Sequence, residues 1–175
     1  MRDHEKMLGR VGELLKTSED GVERRVIGLL EERRALERRV EDARRGSGGE
    51  MQQWVSEAEP LAQNGIRYVG RRVTAGDVKE LQAMGDALRE QLRSGVGVLG
   101  TTFADGKSTL LVVVTDDLRD RGVRADALVR EIAAIAGGRG GGKPHMAQAG
   151  IPDAEKLDAA IRGAPEIIRP LLGGS

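Results

Sequence analysis

The chain has 175 residues, a length that fits one ordinary domain or a small domain with a helical appendage. Its 28 basic residues are balanced by 28 acidic ones, which excludes a strongly basic nucleic-acid-binding chain and requires any basic surface to be local. One Trp, one Tyr and one Phe are too few for the aromatic platform on which single-strand binders stack bases.

The chain has no cysteine and only two histidines, which excludes a disulfide framework and a thiolate metal site. We therefore expect no metal and no cofactor in this segment. No apolar run approaches the roughly 20 residues that span a bilayer. The first ten residues are charged and lack an apolar signal region, so we expect a cytoplasmic protein with no membrane partner.

Residues 20–45 carry a narrow apolar stripe on a highly charged helix. The apolar positions alternate in steps of four and three, with Arg33 in the missing place, as in a coiled-coil seam. Residues 5–16 also show helical spacing. The stripe therefore packs against the preceding helix in an antiparallel hairpin, against the globular part, or against a second copy of the chain, and these can coexist. The residues expected to mediate self-association are Val22, Val26, Leu29, Leu36 and Val40.

The sequence Gly46-Ser47-Gly48-Gly49 predicts the end of this helical region, because glycine disfavours a helix and permits positive φ. A short helix is expected over residues 51–62. The predicted organisation is a helical arm over residues 1–49, a connecting helix within residues 50–65, and a globular subdomain over residues 66–175.

The globular part alternates strand and helix patterns. Strands are predicted over residues 66–73, 95–103 and 108–115, the last in a central position, and an edge strand over residues 145–149. Helices are predicted over residues 75–93 with Thr74 as N-cap, 124–136 with Ile135 inward, and 153–162, with a final short turn over residues 167–172. The fold class is mixed α and β (α+β or α/β), a small sheet with helices on one or both faces.

Residues 137–142 read GGRGGG and are followed by Lys143 and Pro144. Two interpretations of this segment are open. Consecutive backbone N–H groups in a glycine turn form a concave anion site, beside which Arg139 and Lys143 add positive charge. Alternatively, the glycines form a flexible linker or the C-cap of the preceding helix. The segment follows a helix and lacks the P-loop spacing, which argues against nucleotide hydrolysis.

The full string GGRGGGKPHMAQAG, residues 137–150, resembles the C-terminal domain of the alanyl-tRNA synthetases, which belongs to the DHH-associated family. Residues 94–118 and 123–135 are similar to the same domain, and residues 14–17 and 29–40 are similar to the segment that follows the editing domain. Two positions depart from the family pattern: His145 stands in place of the usual Asp, and Ile151 in place of a common Gly. Lys143 and Pro144 separate the last glycine from His145, as in the synthetase branch and unlike the phosphoesterase branch.

The resemblance implies a non-catalytic module that binds alanine-specific tRNA at its outer corner, supports aminoacylation and editing by a longer ligase, and self-associates. The expected RNA-binding residues are Gly137, Gly138, Arg139, Gly140, Gly141, Gly142, Lys143, His145 and Gln148. Arg67, Arg71 and Arg72 are secondary candidates, for which a solvated strand face is the alternative. Two other functions stay open: a dimerisation appendage with little affinity for tRNA, and the substrate-binding domain of a DHH-type phosphoesterase.

Overall fold

The computed structural model describes residues 2–18 and 21–173, with the backbone alone for residues 40–48. The chain divides into two compact units, Met1–Gly46 and Ser47–Ser175. Helix α1 spans Arg2–Leu15 and helix α2 spans Val22–Ser56.

Helix α2 continues through residues 46–49, so the predicted break at these glycines is wrong. Each glycine in a helix interior costs only about 1 kcal/mol relative to alanine, and no proline is present to block the helix. Met51, directly beyond the glycines, is fully buried in the second unit and fixes the last turns of the helix. The predicted connecting helix is therefore the end of α2, which stops at Ser56 instead of residue 62.

The second unit is built on a six-stranded sheet in the order β1-β2-β3-β4-β6-β5. The strands are β1 Glu59–Pro60, β2 Arg67–Arg72, β3 Gly95–Thr102, β4 Ser108–Val114, β5 Arg139–Gly142 and β6 Met146–Ile151. Only β2 and β3 run parallel, because helix α3 (Val78–Leu92) crosses between them; all other neighbours are antiparallel. This arrangement confirms the mixed fold class and the central position of β4.

Helices cover both faces of the sheet. On one face, α5 (Ala125–Ile135) and α6 (Leu157–Leu172) pack on the even-numbered residues of β3 and β4. On the other face, α3 packs on Leu99, Leu111 and Val113. An added Cβ at Gly85 of α3 would lie 2.5 Å from Leu111 Cδ2, so the glycine lets α3 lie directly on β4. Because successive side chains on a strand point to opposite faces of the sheet, the strands contribute to two separate aliphatic cores.

Several local features differ from the predictions. Helix α3 begins later than expected, since Asp77, not Thr74, is its N-cap and accepts from the Glu80 amide at 2.8 Å. A short helix, α4 (Asp116–Asp120), follows β4 and had no distinct sequence pattern. Ile135, predicted to point inward, is partly exposed at the end of α5.

Helix α6 is longer than predicted and includes both Pro165 and Pro170, so residues 167–172 are not a separate turn. A proline removes the backbone donor to the carbonyl four residues earlier. For Pro165 that carbonyl belongs to Ile161, and the buried Tyr68 hydroxyl donates to it at 2.5 Å. A side chain of β2 thereby replaces the missing helical hydrogen bond.

Candidate nucleic-acid interface

The glycine-rich segment begins as a helix C-cap, which was one of the predicted alternatives, and continues as an edge strand instead of a concave loop or linker. Gly137 terminates α5 with a φ of 68°, and the Gly138 amide donates to the Ala133 carbonyl at 2.8 Å. Residues Arg139–Gly142 then form β5, which pairs with β6 alone. The predicted edge strand at residues 145–149 is consequently the interior strand β6, between β4 and β5.

Glycine is required in β5 because its backbone lies very close to β6. An added Cβ at Gly142 would lie 2.6 Å from the Ala147 Cα. An added Cβ at Gly140 would overlap the Gln148 carbonyl oxygen and Ala149. The same composition leaves the strand edge without side chains over residues 140–142, so the outer backbone there is accessible to a ligand.

The turn after β5 is held firmly by its neighbours. The Lys143 amide donates to the Met146 carbonyl at 2.9 Å, which closes a two-residue turn of Pro144 and His145. The Ala125 amide at the start of α5 donates to Pro144 at 2.8 Å, and the Val114 amide donates to His145 at 3.0 Å. Lys143 is exposed and His145 is half-buried, so both lie at the surface beside β5.

Three cationic side chains surround β5. Arg139 begins the strand, Lys143 follows it, and a guanidinium nitrogen of Arg130 lies 3.9 Å from a Cβ placed on Gly141. All three residues are exposed, and none forms an ion pair with any residue that the structure describes. We call Arg130, Arg139 and Lys143 the β5 cation cluster. Sequence reasoning missed Arg130, although its place on the outer face of α5, two turns before the glycines, was a usable signal.

Asp126, four residues before Arg130 on α5, is engaged by another arginine. Arg124 contacts Asp126 through two hydrogen bonds, of 3.0 and 3.1 Å. These hydrogen bonds hold the pKa of Asp126 below its ordinary value, and the charge of Arg130 lowers it further, so the ionised carboxylate chiefly neutralises Arg124.

The secondary candidates on β2 are occupied by internal contacts. Arg67 donates to the Val55 carbonyl at 3.3 Å, Arg71 pairs with Glu57 at 3.0 Å, and Arg72 pairs with Asp158 at 3.3 Å. These contacts favour a structural role for the three arginines. They also lie several strands away from β5 across the sheet.

Gln148 lies on β6 with its side chain directed toward α3. Its Oε1 accepts from Nε2 of Gln82 at 3.1 Å, and both side chains are half-buried. The structure therefore brings Gln148, Arg139 and Lys143 to one end of the sheet, and adds Gln82, which the sequence did not indicate.

The first unit exposes much of its apolar stripe. Leu36 is 54% exposed, and Val26 and Leu29 are also exposed, while Val22 is half-buried. The side chain of Val40 lies outside the described residues. Helix α1 similarly exposes Leu14, at 83%, and Met7. Within the described part of this unit, the helices do not bury these side chains in a hairpin core.

Neither a metal site nor a membrane-spanning helix is found in the part of the chain that the structure describes. No group of three or more histidine, aspartate or glutamate side chains lies together there where it could hold a metal ion. Among the same residues, no helix has both the length and the apolar character needed to cross a membrane.

The family model described as the DHHA1 domain matches residues 65–169. The alanine–tRNA ligase of Acetivibrio thermocellus is 36% identical over 98% of this chain, and that of Clostridioides difficile is 33% identical over 97%. The alanine–tRNA ligase of Myxococcus xanthus is 45% identical over 61% of the chain. The chain spans 19% of the length of the first two ligases. These matches confirm the resemblance predicted from residues 137–150.

Two solved structures share the fold. The C-Ala domain from Aquifex aeolicus alanyl-tRNA synthetase superposes with a TM-score of 0.52 at 23% identity, covering 67% of this chain and 98% of that domain. A DHH domain assigned to a family of ribosomal proteins superposes with a TM-score of 0.53 at 12% identity, covering 85% of this chain and 34% of that one.

Proposed function

This chain belongs to the DHHA1 domain family, and we propose that it is the tRNA-binding module of an alanine–tRNA ligase. The observation that carries the proposal is the β5 cation cluster: Arg130, Arg139 and Lys143 lie along a strand edge whose other three residues are glycines. The matches to alanine–tRNA ligases support alanine-specific tRNA as the ligand.

Physical chemistry favours contact with the RNA backbone. Exposed cations without an acidic partner attract phosphates and release counterions when they bind. The glycine edge adds backbone amides that a phosphate or ribose can approach closely. Of the three aromatic residues, Tyr68 is buried in one core, and Trp54 and Phe103 pack against the other, which favours recognition of shape and backbone over base stacking.

Membership of this family also supports a more specific role for the module. The module contacts the outer corner of tRNA and helps present it to the aminoacylation and editing centres of a longer, cytoplasmic enzyme. It contributes binding instead of chemistry and needs no cofactor of its own.

The test is the affinity for an alanine tRNA transcript after Arg139→Ala and Lys143→Ala are combined. Loss of two phosphate contacts lowers the affinity by about tenfold or more at moderate salt. The matched control combines Arg71→Ala with Arg169→Ala, which removes the same charge near the opposite sheet edge, where both arginines are paired with glutamates. The control binds like the unmodified chain. An unchanged affinity of the first variant would refute the assignment of the cluster.

A second function, self-association, is favoured by the exposed apolar stripe of α2. Leucines that are half exposed on a charged helix gain free energy when a second copy covers them. The occupant that we propose is the same helix of another copy. If the chain is instead a dimerisation appendage with little tRNA affinity, this association persists, and substitutions in the β5 cation cluster do not change tRNA binding.

A further inference from the structure

The hydrogen bond between Gln82 and Gln148 leaves a defined pair of unused groups. A glutamine amide carries a carbonyl oxygen with two lone pairs and an NH₂ group with two N–H donors. A single bond from Gln82 Nε2 to Gln148 Oε1 uses one N–H of Gln82 and one lone pair of Gln148. The Gln82 carbonyl and the Gln148 NH₂ group are left wholly unused on neighbouring amides; the reverse orientation of both amides also leaves one carbonyl and one NH₂ group.

The pair lies where α3 stops covering the sheet. Gly150, two residues along β6 from Gln148, has no atom within 4 Å of an added Cβ, so the space above it is open. Alternation places Gln148 and Gly150 on the same face of the sheet, and Arg139 is the register partner of Gly150. The open face therefore has a glycine floor, an amide pair at one side and an arginine of the β5 cation cluster at the other.

The geometry points to a nucleobase as the ligand of this pair: we propose that Gln82 and Gln148 together read the edge of one unstacked base in the bound RNA. The inference rests on the proposed function, since the β5 cation cluster holds the RNA there. An adjacent donor and acceptor match the pattern on a base edge, which presents the complementary acceptor and donor. A phosphate offers acceptors alone, so it can accept from the NH₂ groups but leaves the unused carbonyl without a donor.

Gln82 acts in this site as a positioning residue as well as a contact. Without its hydrogen bond, the Gln148 side chain can rotate, and its donor no longer has a fixed direction. Replacement of Gln82 should therefore weaken base recognition by more than the loss of one acceptor. Salt dependence should not change, because neither glutamine carries charge.

The experiment is chemical probing of an alanine tRNA transcript, with reagents that modify base edges and with a reagent that acylates ribose 2′-hydroxyls. Gln82→Leu and Gln148→Leu are compared with Gln91→Leu. Gln91 is nine residues further along α3, about 180° around the helix from Gln82, and serves as the matched control. Thermal denaturation of each variant verifies that the fold is retained.

The expected result is that at least one base edge is protected by the unmodified chain and by Gln91→Leu. That base regains reactivity with Gln82→Leu and with Gln148→Leu, with about tenfold weaker binding and an unchanged salt slope. Protection that is equal in all variants, or confined to 2′-hydroxyls, would overturn the inference while leaving the β5 cation cluster in place. RNA binding at the cluster is tested separately: an unchanged tRNA affinity of the Arg139→Ala, Lys143→Ala variant would refute it.

Discussion

At the scale of single residues, Tyr68 connects the sheet to a helix that contains a proline. Its hydroxyl donates to the Ile161 carbonyl, which Pro165 deprives of its helical donor. Burial of the phenol raises the pKa of Tyr68 well above its ordinary value, so the donor form persists in the folded chain. The bond thus satisfies a buried acceptor and fixes α6 against β2.

Tyr68→Phe should lower the free energy of unfolding by about 1–3 kcal/mol, because it leaves the Ile161 carbonyl without a partner. Denaturant titration at neutral pH measures this change. Since the folded-state pKa is raised, the tyrosine contribution is present below pH ~10 and is lost as the pH rises above it. The Phe variant should therefore show less loss of stability above pH ~10 than the unmodified chain; equal stability of the two chains at neutral pH would contradict the role of the hydroxyl.

The residues of the interface could be predicted from the sequence only in part. Arg139, Lys143 and Gln148 were found because they lie within one continuous string. Gln82 lies 66 positions before Gln148 and becomes its partner only through the packing of α3 on β4. Arg130 required the register of α5 relative to β5. Contacts of this kind are tertiary, and no local pattern encodes them.

At the scale of elements, β5 is a strand formed almost entirely by glycine. Apolar patterns located five elements: alternation found β2, continuous apolar runs found β3 and β4, and helical spacing found α3 and α5. They could not find β5, because glycine has no side chain to alternate. Nor could they find β1, which has only two residues. The close pairing of β5 with β6 explains the glycines better than chain flexibility does.

Gly142→Ala should destabilise the chain by about 1–3 kcal/mol, since the new methyl group would force β5 away from Ala147. Gly150→Ala is the matched control on the facing strand, where the methyl group meets open space. We expect the control to be neutral or to stabilise by up to about 1 kcal/mol, because alanine restricts the unfolded chain. Thermal or denaturant unfolding measures the stability of both variants. Equal effects of the two substitutions would argue against close pairing as the reason for glycine.

At the scale of the whole molecule, the two units differ in their cores and in their exposed surfaces. The second unit has two aliphatic cores and the β5 cation cluster. The first unit is charged, helical and apolar along one exposed stripe. The resemblance of residues 137–150 implied RNA binding for the second unit, and the heptad spacing predicted self-association for the first. The continuity of α2 through residues 46–49 could not be predicted, because Met51, which is buried in the second unit, lies beyond the glycines.

Leu36→Glu should weaken self-association, raising the dissociation constant of the dimer by at least about tenfold, because each copy loses one buried leucine. Gly28→Glu adds the same charge to α2 at an exposed position away from the stripe and should leave the constant unchanged. Sedimentation equilibrium over a range of concentrations measures both. A Leu36→Glu chain that associates as tightly as the Gly28→Glu chain would show that the stripe is not the interface.

The central claim is that RNA phosphates bind at the β5 cation cluster. The most direct measurement is the slope of log Kd for alanine tRNA against log salt concentration. We predict that removing the cluster with Arg130→Ala, Arg139→Ala and Lys143→Ala reduces this slope by about 2, at roughly 0.7 for each lost phosphate contact. The Arg71→Ala, Arg169→Ala control should keep the slope of the unmodified chain. A triple variant with an unchanged slope would contradict the account.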